Sequence, residues 1–387
     1  MINFVNRILA AVTILTLATT AAHGAPALPL KIAVIAKPVP TLRFEGDGKP
    51  HVAYELFVSN FNEQAVRIDA LKLSPNEPAG SAAGASDQSF SGDALRHMFS
   101  SIAGNPLTPQ EPVLKPGATA VLYVFLDRDP GAKVFNTLEV EEDGKPDTRQ
   151  EVAPATIDVS HTSPVVISSP LRGDNWWTPN GPANDSIHRR TIIALGPVVV
   201  LPERYAVDWV KLGPDGNSFH GDPKDNRNYY AYRTQIHAVG DGRIVSALDG
   251  IPENVPNSPT MAVTITLANI AGNSVIEDLG GGRYALYAHL IPGTVRVKPG
   301  DRVKDGQLLG LLGNSGNSSE PHLHFQISNS PLPLGGEGEP FLLNKFVRRD
   351  YHMEMKGENP VGLTLGATHE MTRQTFMSMD LGDFGAN

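Results

Sequence analysis

The sequence predicts a mainly β protein, with an N-terminal immunoglobulin-like β-sandwich followed by a compact antiparallel β domain. Short runs rich in Val, Ile, Leu, Tyr and Phe recur along the chain with a period near two. Gly and Pro, 37 and 32 of 387 residues, punctuate those runs. Helical periodicity is almost absent. Composition narrows the function. With 32 Lys+Arg against 41 Asp+Glu the formal charge is −9, and no basic cluster suited to neutralising phosphates is present, so nucleic acid is not an expected partner. The chain has no cysteine, which excludes disulfides, thiolate zinc sites, iron–sulfur clusters and cysteine nucleophiles. Any metal must be held by His and carboxylates.

Residues 1–24 contain Arg7, the apolar run ILAAVTILTLATTAA and small residues at Ala22 and Gly24, the pattern of a signal peptide. The run is shorter than the roughly 20 residues that a spanning helix needs, so cleavage near Gly24 and export to a periplasmic or extracellular location are expected. No later apolar stretch is long enough to predict an integral membrane span in the mature chain.

Residues 25–165 carry the sandwich strands KIAVIA, HVAYELFVSN, AVRIDALKL, ATAVLYVFLD and ATIDVS, an accessory or positioning module. Val66, Ile68 and Ala70 alternate with Arg67 and Asp69, and the phase then flips at Leu71 and Leu73, which predicts a bulge or strand end near Ala70. One short helix is expected from Ser91 or Asp93, with His97 on the surface. Residues 166–185 read as a polar linker whose Trp176 and Trp177 seal a domain junction. Residues 186–335 form the second β domain, with strands at TIIAL, RYAVDWV, QIHAVGDGRIVSAL, MAVTITLA, NSVIEDL, RYALYAHL and HLHFQIS. Asp241-Gly242, Pro299-Gly300-Asp301 and Gly280 to Gly282 supply its turns. Residues 336–387 read as an irregular, peripheral tail rich in methionine.

The strongest chemical signal is Pro321-His322-Leu323-His324-Phe325. On a strand, residues i and i+2 share a face, so both imidazoles project together while Leu323 and Phe325 face a core. His289 closes the apolar run RYALYAH. Asp208, between Val207 and Trp209, is a carboxylate that needs a partner if buried.

The ordered segments ERYAVDW, DGRIVSAL, GGGRYALYAHL, VKPGDRVKDGQLLGLLGNSGNS and PHLHF resemble the lysostaphin-like (LytM-type) zinc metallopeptidases over residues 186–335. The resemblance implies a compact antiparallel β fold, a zinc cofactor and hydrolysis of peptide bonds, chiefly in peptidoglycan cross-links. It makes Asp208 and His324 metal ligands. It makes His322 and His289 the catalytic histidines, His322 taking the proton of the attacking water and His289 facing the developing oxyanion. One position departs from the family pattern, because Arg204 stands where the first zinc-binding His would be. A guanidinium stays protonated and has no lone pair to offer. Two ligands fall short of the usual three plus water. The first candidate for the third is His188, in SIHRRTII, followed by His220 and His237.

Two other readings compete. A relative that has lost its zinc would bind cell wall or activate a cell-wall amidase as its enzyme partner, and a structural or adhesive sandwich protein would have no metal at all. VKPGDRVKDGQLLG is also similar to the hammerhead turn of biotinyl and lipoyl carrier domains, but no modifiable Lys at a hairpin tip accompanies it.

Overall fold

Alternation along the strand Lys49–Asn60 puts Val52, Tyr54, Leu56 and Val58 on one face. They lie beside the strand Thr119–Leu126 in antiparallel register, Val52 opposite Leu126 and Leu56 opposite Leu122. A second antiparallel group, Val66–Ser74, Lys133–Glu142 and Lys145–Ser160, contributes Val66, Ile68, Leu138, Val140 and Ile157 to the same buried core. Two sheets therefore enclose one apolar layer, joined where Val159 and Ser160 run parallel to Thr41 and Leu42. The register shift between Ile68 and Ala70 falls where the phase of the sequence flips. The helix Gly92–Met98 follows Ser91, buries Leu95 and Met98, and leaves His97 exposed. This computed structural model describes residues 29–37, 40–75, 87–102 and 107–385; the expected signal peptide, 1–24, lies outside them. Among the described residues no helix is long and apolar enough to cross a membrane.

The second unit is built on a 12-stranded sheet. Its centre runs in the order Gly173–Asn180, Val207–Lys211, Leu323–Ser328, Arg283–Leu290, Asn273–Gly280, Gly242–Leu248. One face packs on an aromatic core in which Trp209 meets Phe325, Phe376 and Phe384 at ring separations of 5.8, 6.1 and 5.8 Å. Each such ring, fully buried, contributes about 1.5–3 kcal/mol.

Three expectations are corrected. Residues 166–185 are not a linker. Val165–Ile167 pairs with Phe341–Leu343, and Gly173–Asn180 lies between Val207–Lys211 and Leu381–Phe384. Trp176 is fully buried in the core of this unit and Trp177 donates to the Tyr351 hydroxyl at 3.1 Å. Residues 336–387 are not an irregular tail either, because Phe341–Lys356 and Asn359–Gln374 form a long hairpin. A two-residue Gly357-Glu358 turn closes it, Gly357 taking the positive φ (68°) that such turns demand. Phe341, Leu343, Phe346 and Met371 carry the hairpin into the main core. Finally, MAVTITLA (261–268) alternates like a strand but forms none, since no neighbouring strand offers its backbone a ladder.

Candidate metal centre

With Val207, Trp209, Leu323 and Phe325 committed to the core, Asp208 and His324 must project from the opposite face. Register then brings them together: Asp208 lies opposite His324, and Ala288 flanks His324 on the other side. His324 Nδ1 is 3.0 Å from Asp208 Oδ1. Its Nε2–H donates to Gln326 Oε1 at 3.0 Å, and the Gln326 amide donates to the Pro333 carbonyl at 2.9 Å. That chain keeps a proton on Nε2, so Nδ1, which donates to Asp208 while the ring is charged, is the nitrogen free to bind a metal once its proton leaves.

His188 arrives from a different direction, on the short 3-10 turn His188–Arg190. Its Nε2 lies 3.3 Å from Asp208 Oδ2, and its ring stands edge-on to His324 with centroids 4.9 Å apart. One donor atom each from His188, Asp208 and His324 lie within 4.8 Å of one another, and all three residues are buried. Asn180 Nδ2 donates to Asp208 Oδ2 at 3.1 Å, steadying the carboxylate. Two imidazoles and a carboxylate at this spacing are a donor set that suits zinc, with the cavity side left open for a fourth group.

His289 and His322 complete the group, their rings 4.8 Å apart. His289, one residue before the end of its strand, sits in the left-handed region (φ 67°), a conformation costing about 1–3 kcal/mol for a residue with a Cβ. It is held there by its backbone N–H on the Ala271 carbonyl (2.9 Å), its carbonyl accepting from Gly313 (3.0 Å), and Nδ1–H donating to the Ser315 carbonyl (2.8 Å). His322 Nδ1–H donates to the Glu320 carbonyl at 2.8 Å, and its Nε2 lies 3.5 Å from Asp208 Oδ1. All five residues border one cavity of about 330 Å³, with Asn317, Ser318 and Ser319 on one wall.

The charges are strongly coupled. Burial opposes ionisation of Asp208, yet His188 and His322 hold it well below the usual carboxylate range. Burial likewise works against charge on His188, but Asp208, aided by Glu203, raises it to about 9. His322 and His324 are raised too, burial again being outweighed by Asp208. His289 goes the other way. Burial, then His322 and His324, hold it neutral.

The other residues singled out in the sequence lie elsewhere. His220 is exposed and packs edge-on to Tyr230 at 5.3 Å, and His237 Nδ1 bonds the Gly306 carbonyl at 3.0 Å; neither borders the cavity. Arg204 points into the junction with the N-terminal unit, donating to both oxygens of Glu55 (3.0 and 2.7 Å) and to Glu337 (2.8 Å). Sequence reasoning missed Asn180 and Gln326. Gln326 was findable two residues beyond His324 on the same strand face, whereas nothing in the sequence around Asn180 marks it.

Residues 229–336 match Peptidase family M23. That span holds His289, His322 and His324 and begins after His188 and Asp208. Endolysin 2638A of Staphylococcus phage 2638A is 30% identical over 126 residues, 30% of this chain and 26% of that protein. Glycyl-glycine endopeptidase ALE-1 of Staphylococcus capitis is 36% identical over 101 residues, 25% of this chain and 22% of that protein. The chain thus spans about a quarter of the length of these relatives. A mutant catalytic domain of the prophage-encoded M23 protein EnpA from Enterococcus faecalis overlaps 46% of this chain and 92% of its own at 19% identity. Its TM-score is 0.25, too low for the overlap to bear on the fold. Over residues 229–336 the chain is thus similar to peptidase family M23, and in part to an endolysin and a glycyl-glycine endopeptidase.

Proposed function

We propose that the chain is an exported zinc metalloendopeptidase that hydrolyses peptide bonds in peptidoglycan cross-links, with His188, Asp208 and His324 holding the metal. The observation that carries this reading is the buried His188–Asp208–His324 set beside two further histidines on one cavity, in a chain similar over residues 229–336 to peptidase family M23. The endopeptidase activity in the name of its Staphylococcus capitis relative supports the reaction class. Zinc in that donor set supplies Lewis-acid polarisation of a carbonyl and a lowered pKa for water.

The chain's own groups do the rest. Gln326 and Asn180 hold His324 and Asp208 in their orientations. His322, with Nδ1–H committed to the Glu320 carbonyl, takes the proton of the attacking water at Nε2 once that nitrogen has given up the proton it holds against Asp208 in the metal-free chain. His289 has Nδ1–H committed to the Ser315 carbonyl, so its Nε2 donates to a developing oxyanion only when that nitrogen carries a proton. Asn317, Ser318 and Ser319 border the path of an extended peptide.

The competing reading, a metal-free domain that binds cell wall or activates an amidase, draws its force from Arg204. His188 beside Asp208 weakens it, because a third donor stands where the sequence pattern lacks one. Elemental analysis of the purified mature protein, run beside a peptidoglycan digestion that reads new amino termini, tests both. About one zinc per chain with new termini supports the enzyme; zinc without cleavage, or no zinc after reconstitution, would sink it.

A further inference from the structure

We infer that the N-terminal unit takes part in building the metal centre, with Glu55 as a positioning residue that acts through Arg189 on His188. This rests on His188 being a ligand in the function proposed above. Asp208 and His324 are fixed by adjacent strands in register. His188 has no such strand support; its turn is held locally by the Arg190 N–H on the Ile187 carbonyl (3.1 Å), the Thr191 N–H on the His188 carbonyl (3.2 Å), the Thr191 hydroxyl on the Ile187 carbonyl (3.0 Å) and Arg190 Nε on the Asn184 carbonyl (2.9 Å). The next residue supplies the missing anchor. Arg189 is fully buried, ion-paired to Glu55, and donates through Nη2 to the Tyr54 carbonyl (2.9 Å) and the Val124 carbonyl (3.1 Å). Those partners sit on two neighbouring strands of the N-terminal unit, Lys49–Asn60 and Thr119–Leu126. Arg190 follows with its guanidinium 5.0 Å from the Tyr123 ring centre.

Glu55 also grips the segment that leads to the second donor. Only 1% exposed, it receives Arg204 on both oxygens, and Arg204 lies four residues before Asp208. One carboxylate thus ties both ligand-bearing segments to the same strand. Glu337, bridging Arg204 and Lys37, extends the pairing. Tyr205 packed on Phe44 and Ala53, and Leu201 packed on Val121 and Tyr123, add apolar contacts at the same junction. A buried charge held by several partners has few alternative geometries, and the turn that carries His188 inherits that restriction.

The test is zinc binding by the full chain, measured by chelator competition for the parent and Glu55→Gln, with the ring nitrogens of isotope-labelled histidine followed by NMR. In the parent, the His188 and His324 ring signals should both move with zinc. Glu55→Gln should bind zinc at least about tenfold more weakly, the usual effect of losing a group that orients a ligand, and its His188 signal should respond less than that of His324. Should Glu55→Gln fail to fold by circular dichroism, Arg189→Lys makes the same comparison, keeping the charge and giving up the reach to Tyr54 and Val124. Unchanged affinity in a folded variant overturns the inference. So does a weakening in which His188 and His324 respond alike, which would mean general loosening. A parent that binds no zinc instead overturns the metal reading beneath it.

Discussion

On the proposed ligand set a proton and a metal ion compete for the same His188 nitrogen, which makes the pH dependence of zinc affinity the most discriminating measurement on this centre. In the metal-free chain burial disfavours charge on His188, but Asp208, 3.3 Å from Nε2, prevails and raises its pKa to about 9. At pH 7 the ring is then protonated by roughly 100 to 1, and zinc must displace that proton before it can bind. The displacement costs roughly 3 kcal/mol at pH 7 and nothing well above pH 9. Apparent affinity should therefore climb about tenfold per pH unit between pH 7 and 9 and level off above, with a further rise if the raised His324 also releases a proton. Competition against a chelator of known pH behaviour, for the parent and for His188→Ala, isolates the contribution of this one ring. His188→Ala should bind more weakly and lose about one unit of slope. Equal slopes in the two proteins would refute the assignment of His188 as a ligand.

The same shift predicts the stability of the metal-free protein. A pKa raised from 6.5 to about 9 gives stability fully present below pH 6.5 and lost as pH rises through 9, worth about 3 kcal/mol, so the metal-free melting temperature should fall across that window. His220→Ala and His237→Ala should retain zinc that His188→Ala loses, as read by elemental analysis after identical dialysis. His322→Ala should lower kcat by about 10²- to 10⁴-fold with little change in KM, and His289→Gln, which can donate to an oxyanion, should stay more active than His289→Ala. Phe346→Ala, in the segment that the sequence suggests is peripheral, should cost about 3–5 kcal/mol in denaturant unfolding; a truly peripheral residue would cost almost nothing.

Period-two alternation made most strands of both units legible, and a flip of phase was enough to locate the bulge near Ala70. The C-terminal hairpin was obscured because Phe341, Leu342 and Leu343 are buried in succession. Phe341 and Leu343 enter the main core while Leu342 packs with Tyr205 on the other face, and a strand covered on both sides shows no alternation. Gly173–Asn180, with Pro179 and four polar residues, is a strand by virtue of its neighbours rather than its own propensity. At the site, the His-x-His spacing placed His322 and His324 on a common face before any fold was known. The bond between Arg204 and Glu55 spans 149 positions, a separation at which no local pattern can speak. His188 shares that difficulty, since its approach to Asp208 depends on where a distant unit holds Arg189.

Arg204 and the turn that bears His188 meet at one carboxylate, Glu55. A ligand at position 204 would come from the segment that already supplies Asp208, leaving the metal indifferent to the N-terminal unit. With arginine there, the position faces Glu55, and His188, which borders Asp208 from outside the sheet, belongs to the turn whose Arg189 pairs with that same carboxylate. Of the three clustered donors, the span 229–336 contains His324 alone. A fragment limited to that span would keep the catalytic-type histidines His289 and His322 without the means to hold a metal beside them. On the proposed assignment of His188 as a ligand, the Arg189–Glu55 pair ties the N-terminal unit to the centre, and a fragment lacking that unit should bind zinc more weakly in chelator competition rather than gain activity.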